Sequence, residues 1–296
     1  MARSNAKQLG DRLAGLAADP DQQRTLALEL VATDRRPSVF IPALRIIGDP
    51  VDELEQDALL SLYQWLDESG VTRDLNAETR IRILKSLRSA GMHAPRSLLE
   101  RAVKTVEHAP PGGIDEAAGL RAAALISLLD VDEELAGYHA ARLLIDPETS
   151  GFSGEPAVTA ATVLATLGQL GPLYAFAMQP NPGLAEVLAE VLNALVDAPD
   201  SIVIDVVEHL LPFDDEPAVA SVYELMLRRD DQHWTSRIET FLATEERPHL
   251  LRFMATTIAA ERREWQIELL RQRTAAEPGQ KRRGILEEAL KLVTPG

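Results

Sequence analysis

Apolar residues recur every three or four positions along nearly the whole chain, and this spacing predicts α-helices. Within residues 79–89, for example, Ile81, Leu84 and Leu87 define one face, while Arg82 and Lys85 define the other. Similar blocks are separated by short breakers rich in Gly, Pro and Asp, so about fifteen helices are expected. No alternating run of β-branched residues bounded by hairpin dipeptides is present, so the pattern predicts no β-sheet.

Helix starts in the C-terminal half share an opening in which an acidic or polar residue precedes a proline. The prolines of these openings are Pro156, Pro182, Pro217, Pro248 and Pro278. Proline is tolerated in the first helical turn, where its missing N–H is not needed, and carboxylates there interact favourably with the helix dipole. The openings recur roughly every 30 residues, which predicts a helical hairpin that repeats along the chain.

Two segments resemble the first helix of a bacterial HEAT repeat, in which an acidic-proline start leads into an alanine-rich helix. They are residues 155–168 (EPAVTAATVLATLG) and 119–130 (GLRAAALISLLD). The likeness covers residues 114–296, with a cap helix at the C-terminal end, and the repeats over 1–113 are degenerate. Tetratricopeptide repeats are the nearest alternative, but their characteristic Trp, Gly and Tyr positions do not recur. The resemblance implies an all-α fold of armadillo type: a right-handed α-solenoid superhelix of about seven stacked helical hairpins in a single continuous array.

The stretch between Glu155 and Glu186 contains thirty residues without a charge and has to be weighed as a membrane span. It is interrupted by threonines, glycines and a proline, and no Lys or Arg flanks it, whereas a spanning helix needs about 20 predominantly apolar residues. Residues 168–172 (GQLGP) predict a turn between two buried helices instead. No membrane span is expected. The N-terminal residues show no apolar signal region, so a cytoplasmic location is expected.

Charge is unevenly distributed around a net value of −16. Residues 73–104 hold eight bases and three acids, whereas residues 105–225 hold twenty acids and two bases. We therefore predict a basic docking patch on two successive helices, beside a long acidic surface that would suit a basic partner. Its residues are Arg73, Arg80, Arg82, Lys85, Arg88, Arg96, Arg101 and Lys104. The alternative is that these side chains only solvate helix faces and keep an apolar array soluble.

We find no sequence motif of a known catalytic, phosphate-binding or metal-binding site. There is no cysteine, no phosphate-binding loop and no nucleophile elbow, and the six histidines are dispersed. A loop starting at Asp146 has the early positions of a calcium loop, but Ala157 stands where the bidentate glutamate belongs. His139 is expected to be an ordinary packed or exposed histidine, and Trp65, Trp234 and Trp265 are expected to be core or half-buried anchors. We predict no catalytic residues, no cofactor and no metal.

Families of HEAT type serve mostly as interaction platforms, so the resemblance implies a non-enzymatic scaffold or adaptor that binds a protein partner on its curved surface. Two alternatives come from other HEAT-like proteins. One is a DNA-binding protein or an enzyme of the DNA glycosylase type, and the other is an enzyme of the chromophore lyase type, as in phycobilin lyases. The strongly negative net charge argues against nucleic acid, because it repels a polyanion.

Overall fold

The computed structural model describes residues 2–47, 52–111, 113–181, 183–229 and 234–293. Within these ranges the regular structure is helical, with seventeen α-helices, two short 3-10 turns and no β-strand, which confirms the predicted all-α class. The only β-type pairing in the described ranges is an isolated bridge between His108 and Asp115. No described helix is both long enough and apolar enough to cross a membrane.

The chain divides into two compact units, residues 1–167 and 168–296. The first unit contains α1 (Ala2–Gly15), α2 (Pro20–Thr33), α3 (Pro37–Ile47), α4 (Glu53–Asp67), α5 (Glu78–Ser89), α6 (Arg96–Ala102), α7 (Ala118–Leu129), α8 (Glu133–Leu144) and α9 (Ala157–Thr166). The second contains α10 (Leu170–Ala177), α11 (Ala185–Ala194), α12 (Asp200–Leu210), α13 (Glu216–Arg228), α14 (Thr235–Thr244), α15 (Pro248–Glu261), α16 (Glu264–Ala276) and α17 (Gln280–Val293). The predicted change of repeat character at residues 113–114 falls inside the first unit, in the loop between α6 and α7.

Within each unit, many helices contact the helix that is next but one along the chain. In the first unit α1 packs on α3, α2 on α4, α5 on α7 and α7 on α9. In the second unit α11, α13, α15 and α17 form one continuous row, while α10 packs on α12 and α14 on α16. Contacts between alternate helices are what stacked helical hairpins produce, because each hairpin covers the apolar face of its neighbour.

The segment without charges forms two helices separated by a turn, as predicted. Helix α9 ends at Thr166 and α10 begins at Leu170. Gly168 between them has a φ of +66°, a conformation that other residues adopt only with strain. The boundary between the two units falls at this turn.

Acidic residues start several helices, but the proline openings are more varied than the sequence predicts. Asp215 accepts a hydrogen bond from the Ala218 N–H at 3.1 Å and so caps α13, whose second residue is Pro217. Pro248 begins α15. Pro156 instead directly precedes α9, and Pro278 lies two residues before α17. Pro182 lies outside the described residues.

Two buried arginines stabilise the loops that precede α5 and α7 through hydrogen bonds to aspartates in those loops. Asp74 accepts hydrogen bonds from both the backbone N–H and Nε of Arg80, at 3.0 and 3.1 Å. Asp115 accepts from Arg121 with the same six-residue spacing. Both arginine side chains are fully buried. A full charge stays inside a protein only when it is paired and hydrogen-bonded, so these carboxylates are a structural requirement of the fold.

Candidate docking groove on helix α6

Helix α6 is short, and its pattern of burial follows the helical period. It buries Leu98, Leu99 and Ala102 and leaves Arg96 and Arg101 exposed on its outer face. Apolar residues at this spacing lie on one side of the helix, so the charged residues between them are displayed together on the other side.

The exposed face of α6 and the turn that follows it line a shallow, open groove with a volume of about 710 Å³. Its lining residues are Arg96, Ser97, Glu100, Arg101, Lys104 and Thr105. Three positive side chains therefore face one negative side chain, and two hydroxyl groups add hydrogen-bonding capacity. Chemically, the groove can accept carboxylates or other oxyanions.

Exposed ion pairs hold two of the three basic side chains of the groove. A guanidinium nitrogen of Arg96 lies 2.7 Å from Asp132, the residue that caps α8, and its Nε lies 3.0 Å from Glu100. Arg101 lies 3.8 Å from Asp67. Lys104 makes no ion pair with the described residues. Because exposed pairs contribute only about 0–1 kcal/mol each, a partner carboxylate could replace these acids at little cost.

His139 on α8 lies near two positive charges, one of which belongs to the groove. The residue is buried, so of the two ordinary placements that the sequence allows, packed or exposed, it has the packed one. Burial lowers its pKa, and the nearby charges of Lys104 and Arg142 lower it further, while Glu100 acts in the opposite direction. Arg142 in turn donates a 2.7 Å hydrogen bond to the carbonyl of Val103, which connects α8 to the end of α6. Arg142 therefore places one further positive charge beside the end of α6, although it does not line the groove.

Arg80 does not belong to a docking surface, and its inclusion in the predicted patch is wrong. Its side chain has no exposed area, and its two terminal nitrogens donate to both oxygens of Glu107 at 2.7 Å. Burial alone lowers the pKa of Arg80, but the hydrogen bonds and charges of Glu107 and Asp74 outweigh burial and raise it well above its usual value. The guanidinium is a structural cation that a partner cannot reach.

The remaining four bases of the predicted patch lie outside the groove. Arg73 stacks over the Trp65 ring, with its guanidinium carbon 4.3 Å from the ring centroid. Arg88 lies 2.6 Å from Asp130 and connects the ends of α5 and α7. Arg82 and Lys85 are exposed on α5 and make no ion pair with the described residues. The structure therefore brings Arg96, Arg101 and Lys104 together, three of the eight predicted residues.

Sequence reasoning missed the residues beside the groove: Arg142, which binds the end of α6, and the acids Asp132 and Asp67, which pair with its arginines. The sequence places Arg142 in an acidic stretch and far from α6, so a count of charges along the chain does not reveal that the two helices touch. The only available signal was the repeating hairpin, which predicts that alternate helices are neighbours in space.

No metal site stands out in the described ranges. They contain no group of three or more His, Asp or Glu residues placed to hold a metal ion. Asp146, the first residue of the loop compared with a calcium site, lies 3.2 Å from the buried Arg121. Trp234 is buried and Trp65 and Trp265 are half-buried, which fits the predicted anchors. No protein-family model matches the sequence, and no curated protein matches it either.

Proposed function

We propose that this chain is a non-enzymatic protein-binding scaffold, built as an α-solenoid of HEAT-like hairpins, whose α6 groove holds an acidic segment of a partner protein. The supporting observation is the groove itself, in which Arg96, Arg101 and Lys104 lie side by side. This is an unusual placement in a chain with a net charge of −16. The contacts between alternate helices in each unit support the solenoid.

Screening makes a local basic site compatible with an acidic protein. At physiological ionic strength charges more than about 8 Å apart on the surface barely interact, so the acids of distant helices do not cancel the groove. A carboxylate at the groove, by contrast, would lie within hydrogen-bonding distance of guanidinium groups, which bind carboxylates in a bidentate manner. The site therefore selects a short acidic segment and contributes little to long-range attraction.

The proposal is tested by affinity capture from lysate of the source organism, with wild-type protein and two matched variants. The groove variant is Arg101→Glu/Lys104→Glu, and the control is Arg82→Glu/Lys85→Glu. Each replaces one exposed arginine and one exposed lysine, so the net charge changes equally. We expect the same protein to be captured by wild type and control and to be lost with the groove variant.

Two results would count against the proposal. Equal capture by both variants, or loss with both, would mean that the groove is not the site. Capture of nucleic acid, with binding that falls steeply as salt rises, would favour the DNA-binding alternative instead, because phosphate contacts release counterions. A repeat at low and high salt separates these results.

A further inference from the structure

A small, partly enclosed cavity lies in the second unit, between the loop before α11 and the start of α13. Its volume is about 170 Å³ and its walls are mainly apolar. Leu188, Phe213 and Ala218 provide part of the lining, and Pro180 closes one side. For comparison, an engineered apolar cavity of about 150 Å³ binds benzene. The space is therefore sufficient for one aromatic or large aliphatic side chain.

Local hydrogen bonds hold the walls of this cavity in place. The Asn181 side-chain oxygen accepts a hydrogen bond from the Gly183 N–H at 3.1 Å, and the Asn181 backbone carbonyl accepts one from the Leu184 N–H at 3.0 Å. The Phe213 ring packs edge-on against His209, with 5.4 Å between the ring centroids. A preformed cavity of this kind costs little reorganisation when it is filled.

The rim of the cavity is acidic. Asp214 and Asp215 line it, and Asp214 is exposed and makes no ion pair with the described residues. Residues 168–227 contain ten acids and no Lys or Arg, so no base from this stretch neutralises the rim. The charge of Asp214 contributes to the raised pKa of Arg247, so this arginine lies near the rim. Its guanidinium, however, is held by Glu245 through two 2.8 Å hydrogen bonds. A ligand that fills the cavity would therefore gain from a positive charge beside its apolar group.

We propose that this cavity is a peptide-binding pocket, and that its occupant is a Phe or large aliphatic side chain flanked by Lys or Arg in a partner segment. The apolar side chain fills the space lined by Leu188 and Phe213, and the flanking cation lies against Asp214. Such an anchor side chain in a dry pocket is the usual source of affinity in peptide recognition. The pocket is independent of the α6 groove, which takes a segment of opposite charge.

The test uses methyl NMR on the full chain, titrated with Gly/Ser peptides that carry a single Lys-Phe-Lys, Lys-Ala-Lys or Glu-Phe-Glu sequence. We expect the Lys-Phe-Lys peptide to shift the Leu188 and Ala218 methyl signals saturably. Removing the phenyl ring should weaken binding by roughly tenfold or more, because a buried Phe contributes that much to affinity. Reversing the flanking charges should also weaken binding, and added salt should reduce the difference between the two Phe peptides.

Two variants of the chain distinguish the pocket from general surface binding. Ala185→Leu fills the cavity from the first residue of α11, while Ala194→Leu makes the same change at the other end of that helix, away from the cavity. Only the first should abolish the shifts, and both should keep the wild-type methyl spectrum elsewhere. The proposal is overturned if no peptide shifts these methyls, if Glu-Phe-Glu binds as well as Lys-Phe-Lys, or if benzene binds and the Phe peptides do not.

Discussion

Replacing Arg80 with methionine removes the charge that holds the loop before α5, yet keeps a long unbranched side chain. The variant loses two 2.7 Å hydrogen bonds to Glu107 and one of 3.1 Å to Asp74. The side chain of Asp74 is only 2% exposed, so its carboxylate would be left inside the protein without its cation. Removing one partner of a buried ion pair costs about 3–5 kcal/mol. Domains are stable by about 5–15 kcal/mol, so the first unit should lose a large part of its stability.

Hydrogen exchange measured by mass spectrometry, together with urea denaturation, would check this prediction. Exchange should become faster in residues 70–89 and 105–118, while peptides from the second unit should keep their wild-type protection. The control is Arg82→Met, an exposed change two positions along the same helix, which should alter stability by no more than about 0.5 kcal/mol. If Arg80→Met and Arg82→Met destabilise the protein equally, the reasoning about the buried charge is refuted.

A second substitution, at Glu107, shows how much of the destabilisation in Arg80→Met comes from the carboxylate that is left without its cation. In Arg80→Met/Glu107→Gln one uncompensated carboxylate is neutralised, so the double variant should be more stable than Arg80→Met alone. A purely additive result would show that the two side chains do not interact in the folded protein.

The remaining predictions concern a second carboxylate, two glycines and the buried histidine. Burial opposes ionisation of Glu277, but hydrogen bonds from the Gly279 backbone and two arginines lower its pKa to about 2. Its stabilisation should be complete above the usual carboxyl pKa of 4.5 and lost as the pH falls towards 2, so denaturation curves of Glu277→Gln and wild type should converge over that range. Gly70→Ala should lower the melting temperature more than Gly168→Ala. Both glycines have positive φ, but only at Gly70 would a Cβ lie 2.4 Å from the carboxylate that Arg80 holds. Lys104→Gln should raise the pKa of His139, which histidine NMR titration would detect, because one of the charges that lower it is removed.

Helix positions followed from the sequence because local periodicity and turn chemistry determine them. The turn at residues 168–172 illustrates this, since a glycine with positive φ ends one helix just before the next begins. The helix cap at Asp215 is a second example, because a short carboxylate just before a helix commonly accepts a hydrogen bond from the first turn. These features need no knowledge of distant residues.

Burial of a charged residue is harder to predict, and the patch shows why. Arg80 lies in the same stripe as Ile83, Leu84 and Leu87, all buried, so the helical spacing contained a signal that its charge obscured. Leu84 and Leu87 are buried as predicted, but the buried face of α5 also includes Arg80 and leaves Ile81, where the predicted face began, only partly buried. A basic residue in an apolar stripe should be expected to have a buried partner.

The groove and the cavity depend on contacts between distant residues, which a single sequence does not show. The ion pairs of the groove need Asp67 and Asp132 beside α6, and the cavity needs the loop before α11 beside the start of α13. Of the eight bases that the charge totals along the chain singled out, three line the groove and five lie elsewhere. The repeat itself predicted neighbouring helices without indicating which side chains would meet.

The central claim is that the α6 groove holds an acidic segment of a protein partner, and calorimetry on the captured partner tests it most directly. Purified partner would be titrated into wild type, Arg101→Glu/Lys104→Glu and Arg82→Glu/Lys85→Glu under identical salt. The account predicts that the groove variant binds at least about tenfold more weakly, as expected for the loss of two charge-assisted contacts, while the control binds like wild type. Equal affinities for all three proteins would contradict the account.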